Sequence, residues 1–360
     1  MALTVVFCPG GGTDMKALVY HGPGKKAWEE RPKPQIKDDE DAIVKVVKTT
    51  ICGTDLHILK GDVRDVEDGR VLGHEGIGII EKVGSGVRNF KKGDKVLISC
   101  ITSDGSCEFC KRGMYSHCEH GGWILGHLID GTQAEYVRIP YADTSLYRIP
   151  EEINEDASVM LSDVFPTAFE CGVLNGQIKP GDTVGIVGAG PIGLAALLTA
   201  KFYSPARIIV MDVDEGRLSV ARELGATDTL ISTGADIADR VMELTGKKGV
   251  DVAIEAVGTP ITFRICESII APGGHIANIG VFGEPVDLHM EKLWAQNITL
   301  TTRLVDTVTT PMLLKSVLSG ALHPESLVTH HFRLDDIMKA YDTYSHAREE
   351  KALKVVLENR

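Results

Sequence analysis

Aromatic residues are scarce, 6% of a 360-residue chain, and basic residues are outnumbered, 38 Lys+Arg against 50 Asp+Glu. The formal charge of -12 argues against a nucleic-acid partner, which requires a basic surface, and against docking on an acidic membrane. Eight cysteines are too few for a disulfide scaffold at this length. Long hydrophobic runs are missing as well. The uncharged stretch Thr183 to Ala200 is broken by glycines and a proline, so it reads as strand, turn and helix rather than a membrane span. The apolar run Ala2 to Cys8 has no basic segment before it, which makes a secretory signal a poor fit. Met1 to Asp14 therefore reads as an extension ahead of a strand starting at Met15, and the cytoplasm is the expected compartment. What remains is ordinary globular composition, 43% hydrophobic and 24% charged, in a chain long enough for two domains.

Two patterns divide the chain. The first half is β-rich, with short strands over Ala42–Thr50, Ile77–Val83 and Lys95–Ser99 punctuated by glycine. From about Asp182 strands and helices alternate. Strands are expected at Thr183–Val187, Arg207–Met211, Val250–Glu255, His275–Ile279 and Ile298–Thr302. Helices are expected at Ile192–Tyr203, Glu215–Leu224, Ile237–Leu244 and Thr262–Ile270. Two helices, Thr310–Ser319 and Leu334–Ala347, and a strand, Lys354–Leu357, close the chain. The fold class is α/β: a β-rich domain over residues 1–163, a doubly wound parallel sheet of Rossmann type over 164–304, and a return to the first domain over 305–360.

Gly188-Ala189-Gly190-Pro191-Ile192-Gly193 joins an apolar strand to an apolar helix. In a dinucleotide site the first glycine permits the turn, the second admits a pyrophosphate, and the third lets helix and sheet pack. Asp212 ends the next strand, where a carboxylate accepts hydrogen bonds from the adenosine ribose and repels a 2′-phosphate, favouring NAD over NADP. Arg217 is counted among the cofactor-binding residues.

Cys52-Gly53-Thr54-Asp55-Leu56-His57, Gly73-His74-Glu75 and Asp163 supply the donor types of a catalytic zinc, which keeps one position open. Gly73-His74-Glu75-x2-Gly78-x5-Gly84-x2-Val87 matches the signature of the zinc-dependent medium-chain alcohol dehydrogenases. The resemblance runs from Met15 to Arg360 and is strongest to the bacterial secondary-alcohol branch, through Ile51–Gly61, Ile129–Tyr136 and Val328–His330. It implies a GroES-like catalytic domain and a zinc held by Cys52, His74 and Asp163, with Glu75 close enough to ligate. It also implies Asp55 as acceptor from His74, and a proton relay from Thr54 to His57. Lys354 falls where the family places a base near the pyrophosphate, and Ile279 and Val281 fall beside the nicotinamide. Trp123 and Leu125 are expected near the substrate.

The implied activity is NAD-dependent oxidation of short secondary, and also primary, alcohols by hydride transfer from the zinc-activated alcohol, and the reverse, in a homotetramer. Formaldehyde, polyol or threonine dehydrogenases on the same scaffold, and a zinc-free non-catalytic relative, are the alternatives. Relatives with a structural zinc use C-x2-C-x2-C-x7-C. Here Asp104, Cys107, Cys110 and Cys118 occupy those places, which implies a site of three thiolates and a carboxylate, with Cys100 the alternative to Asp104. The pairs His117/His120 and His330/His331 are expected to be non-catalytic.

Overall fold

The computed structural model describes residues 14–359, so the expected extension lies outside the described residues, save Asp14. Three sheets organise the chain. The parallel one has the strand order Asp228–Ile231, Arg207–Asp212, Thr183–Val187, Val250–Glu255, Ile270–Asn278, Thr299–Thr302. Every neighbouring pair in it is parallel. The chain therefore starts in the middle, winds outward one way and then the other. That leaves a crevice beyond the carboxyl end of Thr183–Val187, where ligands bind in such sheets. Its central strands read as apolar runs because both faces are covered: Val184, Ile186, Val187, Ile209 and Val210 are all inaccessible.

The second sheet holds seven strands. Ala42–Ile51 lies at its centre, paired antiparallel to Gly76–Val83, Tyr136–Ile139 and the last strand, Lys354–Glu358. The C-terminal strand thus enters the sheet that carries the N-terminal motifs. A three-stranded antiparallel sheet is built from Lys26–Pro32, Asp14–Tyr20 and Arg70–Val71.

Most expected elements of the parallel half fall at or near their observed bounds, but the strand expected at 275 starts earlier, at Ile270, and the edge strand Asp228–Ile231 was not foreseen. Val328–Arg333, Gly53–Lys60, Glu155–Met160 and the helical run Val164–Leu174 were not foreseen. The last turns from α to π winding at Ala168, and its small and β-branched residues give no clean helical period. Among the described residues no helix is long and apolar enough to cross a membrane.

Candidate active site

Three elements bring the chemistry together. The helix Gly53–Lys60 starts where the central strand ends. Asp55 Oδ2 accepts the Cys52 N–H at 2.9 Å and the Gln133 Nε2–H at 3.0 Å, and Tyr341 braces Gln133 from the other side at 2.9 Å. The helix stops at Gly61, whose φ of 87° suits glycine. Its first turns carry Cys52, Thr54 and His57. His74 and Glu75 precede the strand Gly76–Val83. Asp163 opens the helical run at Val164.

One donor atom each from Cys52, His74, Glu75 and Asp163 lies within 4.8 Å of the others. His74 Nε2 is 3.4 Å from Asp163 Oδ2 and 3.9 Å from Glu75 Oε1. Cys52 Sγ is 3.9 Å from Asp163 Oδ2. Ligands about 2.0–2.3 Å from a tetrahedral zinc are separated by distances of this size, so the donor set fits the ion. Its charges fit too. Burial pushes the Asp163 carboxyl up, but His74 and Thr167 outweigh it and hold it well below the ordinary range. Burial pushes His74 down, yet Asp163 and Cys52 raise it well above its usual value.

Asp163 Oδ1 is occupied elsewhere. It accepts from Thr167 Oγ1 at 2.5 Å and from Cys100 Sγ at 3.4 Å, which leaves Oδ2 to face His74 and Cys52. Cys100 therefore belongs to this cluster, not to the loop where it was the alternative ligand. The expected bond from His74 to Asp55 is not formed: Asp55 Oδ1 has no partner, and Oδ2 serves Cys52 and Gln133. Lys354 is a second correction. Its Nζ is buried against Glu75, 2.8 Å from Oε1 and 2.7 Å from Oε2, with Thr50 Oγ1 at 2.5 Å from Oε2. The strand carrying it pairs with Ala42–Ile51, which turns the side chain into the sheet interior rather than toward a pyrophosphate.

Beside the cluster opens a cavity of about 160 Å³, lined by Thr54, His57 and Trp123 from the β-rich part and by Ile279, Val281 and Arg303 from the parallel sheet. Leu125, in contrast, is fully buried in the apolar core. Cys100, Cys171, Thr167 and Arg303 also line the cavity without having been singled out for it. They sit in segments with no metal-ligand spacing and no glycine signature.

The glycine turn fits a dinucleotide. Gly188 has φ +106°, and a Cβ on Gly193 would run into the Gly188 carbonyl. Over Gly190 the only atom within 4 Å of such a Cβ is Arg217 Nη1, at 4.0 Å, so the backbone there is open to a ligand. Pro191 and Ile192 begin the helix Pro191–Ala200, whose N–H groups face the same opening. Asp212 accepts from Ala189 N at 2.6 Å and Asp214 N at 2.9 Å. The helix cap itself is Asp214, which accepts from Arg217 N.

A second cluster is made by Asp104, Cys107, Cys110 and Cys118, whose donor atoms also lie within 4.8 Å of one another. Asp104 N donates to Cys118 Sγ at 3.3 Å and Cys110 N to Cys107 Sγ at 3.5 Å. Asp104 Oδ1 accepts from Ser106 N and Cys107 N at 2.6 and 3.0 Å, and Oδ2 faces His120 Nδ1 at 2.6 Å. Partial burial raises the Asp104 carboxyl, but these hydrogen bonds, His120 first, hold it well below its usual range. Burial and the neighbouring thiols push Cys110 up, while N–H groups of Cys110 and Glu119 bring Cys107 down. Three crowded sulfurs and a carboxylate suit a thiophilic cation.

Comparisons with known proteins agree. Residues 38–151 match the alcohol dehydrogenase GroES-like domain and residues 191–317 the zinc-binding dehydrogenase domain. An alcohol dehydrogenase of Cupriavidus necator is 37% identical over 93% of this chain and 96% of its own. The NADP-dependent isopropanol dehydrogenase of Thermoanaerobacter brockii is 34% identical over 91% of this chain and 95% of its own. Zinc dependent alcohol dehydrogenase 2 from Streptococcus pneumonia, solved in its apo form, superposes with a TM-score of 0.93 at 53% identity, covering 96% of this chain and 98% of that one. The fold and site are those of a nucleotide-dependent oxidoreductase with a β-rich catalytic part. The chain belongs to the zinc-dependent medium-chain alcohol dehydrogenase family, whose members act on alcohols with zinc and a nicotinamide dinucleotide.

Proposed function

We propose that the protein is a zinc-dependent, NAD-preferring dehydrogenase of short secondary alcohols. The observation that carries this is the convergence of Cys52, His74 and Asp163 at tetrahedral spacing on a small cavity that also receives Ile279 and Val281 from the nucleotide-binding sheet. Zinc held there would supply Lewis-acid polarisation of an alcohol oxygen, and a nicotinamide dinucleotide held on the glycine turn Gly188–Gly193 would supply the hydride acceptor. Cys52, His74 and Asp163 hold the metal, and Lys354 and Thr50 retain Glu75 beside it. Thr54, whose Oγ1 is 3.7 Å from Cys52 Sγ, accepts the alcohol's hydroxyl proton as its own hydroxyl proton moves on toward His57. His57, on the same helix, passes it to solvent. Its Nδ1 is held by Asp62 Oδ2 at 2.8 Å, which leaves Nε2 for exchange. Ile279 and Val281 pack the nicotinamide. Asp212 favours NAD by meeting the ribose hydroxyls and repelling a 2′-phosphate. The loop cluster holds a second, structural zinc through Asp104, Cys107, Cys110 and Cys118. Assembly as a homotetramer is part of the same reading, and light scattering tests it.

Metal analysis and initial rates decide the rest. The expected result is zinc in the purified chain and faster reduction of NAD than NADP with 2-propanol or 2-butanol. If threonine, formaldehyde or a sugar polyol outpaces both alcohols, the substrate reading is wrong. If the chain binds no zinc and reduces neither cofactor, it is a non-catalytic relative.

A further inference from the structure

Asp163 stands at the N-cap of the helix Val164–Thr167, yet its side chain accepts none of the helix N–H bonds that a carboxylate there ordinarily takes. Side chains orient it instead. Oδ1 accepts from Thr167 Oγ1 at 2.5 Å and from Cys100 Sγ at 3.4 Å. Both donors are set by backbone bonds next to Asp163. Thr167 N donates to the Asp163 carbonyl at 2.8 Å, and Cys100 N donates to the Ser162 carbonyl at 3.1 Å. A carboxylate oxygen has about two lone-pair sites, so one O–H and one S–H fill Oδ1. Oδ2 alone is left toward His74 Nε2 and Cys52 Sγ, at 3.4 and 3.9 Å. Asp163, Cys100 and Thr167 all line the cavity, so this arrangement sits where a substrate would reach the metal. A carboxylate can also grip a cation with both oxygens, and the second oxygen would then take the position that a catalytic zinc keeps open.

We propose that Cys100 and Thr167 are positioning residues: by filling Oδ1 they keep Asp163 a one-oxygen ligand and reserve the open position of the cavity zinc for the alcohol. The inference rests on the zinc reading above and deepens it. Without the S–H or the O–H, Oδ1 is free to turn to the metal as a further donor. The ion is then still held but no longer open. This separates positioning from ligation. Losing a ligand, as in Asp163→Ala, empties the site, whereas losing a donor to Oδ1 closes it.

The test compares the parent with Thr167→Val, which keeps the shape without the hydroxyl, Thr167→Ser, which keeps the hydroxyl, and Cys100→Ala. Each full-length chain is loaded with Co2+, and the spectrum of Cys52→Ala, expected to keep the loop ion alone, is subtracted. The parent should show the intense visible d–d bands of tetrahedral Co2+, and added imidazole should shift them as it enters the open position. In Thr167→Val and Cys100→Ala the bands should weaken, as they do when a further donor joins. The Kd for imidazole should rise about tenfold or more, the size of effect that partners of metal ligands commonly have. With zinc, kcat/KM for 2-propanol should fall by a similar factor, while metal content and the Kd for NADH stay at the parent's values. Thr167→Ser should behave as the parent in every readout. Loss of the cavity ion from Thr167→Val and Cys100→Ala overturns the proposal, since the two side chains would then retain the metal rather than keep it open. So does a fall in NADH affinity with bands and imidazole binding unmoved, because the residues would then serve the cofactor. A parent that takes up only the loop ion overturns the zinc reading above and this proposal with it. A parent that loads both ions, with variants indistinguishable from it, overturns this proposal alone.

Discussion

The two ligand clusters, three thiols and a carboxylate in one and a thiol, an imidazole and two carboxylates in the other, are built in opposite ways. The loop cluster comes from one stretch, Asp104 to Cys118, and its own N–H groups brace the sulfurs and the carboxylate. The cavity cluster draws Cys52, His74 and Asp163 from three elements, and much of its bracing comes from side chains distant in the chain: Gln133 on Asp55, and Thr50 and Lys354 on Glu75, with Thr167, four residues on from Asp163, the local exception. A loop can close four donors around an ion by itself, which suits a purely structural role. Leaving one face open to a substrate requires the ligands to be held by a rigid surround instead. The difference is one of support, and the variants of Cys52, Asp163 and Asp104 below each disturb one cluster while leaving the other in place.

The largest effect is expected from Cys52→Ala or Asp163→Ala. Either should leave one zinc per subunit, in the loop, and lower turnover by about a thousandfold, equivalent to the several kcal/mol that Lewis-acid catalysis supplies. NAD affinity should hardly change, because the glycine turn lies in the other sheet. Metal content, kcat and a fluorescence titration of NADH check this. Retained turnover without zinc would end the mechanism.

The same contrast explains what could be read from the chain alone. The loop spacing, the Gly-His-Glu signature and the glycine turn are local, so they are visible as strings, and the central strands of the parallel sheet stand out because burial on both faces makes them apolar, whereas the edge strand Asp228–Ile231 is half-exposed and was not foreseen. Long-range support is invisible in that way. Lys354 reads as a base near the pyrophosphate, but the C-terminal strand pairs with Ala42–Ile51 and its Nζ meets Glu75. Cys100 reads as a spare member of the loop, but the bend just after the strand Lys95–Ile98 delivers it to Asp163. The helical run Val164–Leu174 carries no amphipathic period because it is buried nearly throughout.

Asp212→Gly should come next in size, and it acts on the cofactor side of the cavity. Losing the carboxylate removes repulsion of a 2′-phosphate, so kcat/KM for NADP relative to NAD should rise about tenfold, the worth of a modest charge contact. The glycine also surrenders the bonds to Ala189 N and Asp214 N, so both absolute rates should drop. Asp212→Asn, which keeps an acceptor, separates the two effects. An unmoved ratio in both variants would remove Asp212 from cofactor choice.

His57→Ala should cost less, about tenfold in kcat and short of the roughly hundredfold a positioned acid–base group commonly gives. His57 is partly exposed, with 32% of its side chain accessible, so water can take over the relay. Added imidazole should restore part of the rate. No loss and no rescue would exclude it.

Asp104 is where the comparison can be sharpened most finely, because it both faces the three sulfurs and braces the loop. Asp104→Ala removes both contributions. One zinc should be lost to a chelator, and the melting temperature should fall by a few degrees, the usual response of a chain this size to about 1–2 kcal/mol. Asp104→Asn can still accept the Ser106 and Cys107 N–H bonds but is a poor zinc ligand, so it should lose metal while losing less stability than alanine. Asp104→Cys adds a fourth thiolate and should hold the metal longer than the parent under the same chelator. Retention should thus rank Cys, Asp, then Asn and Ala. In all three variants the cavity cluster is untouched, and turnover measured before heating should stay near the parent value. Two zincs per subunit and an unchanged melting temperature in Asp104→Ala would show that the carboxylate is not a ligand, and that three sulfurs suffice in a loop that supports itself.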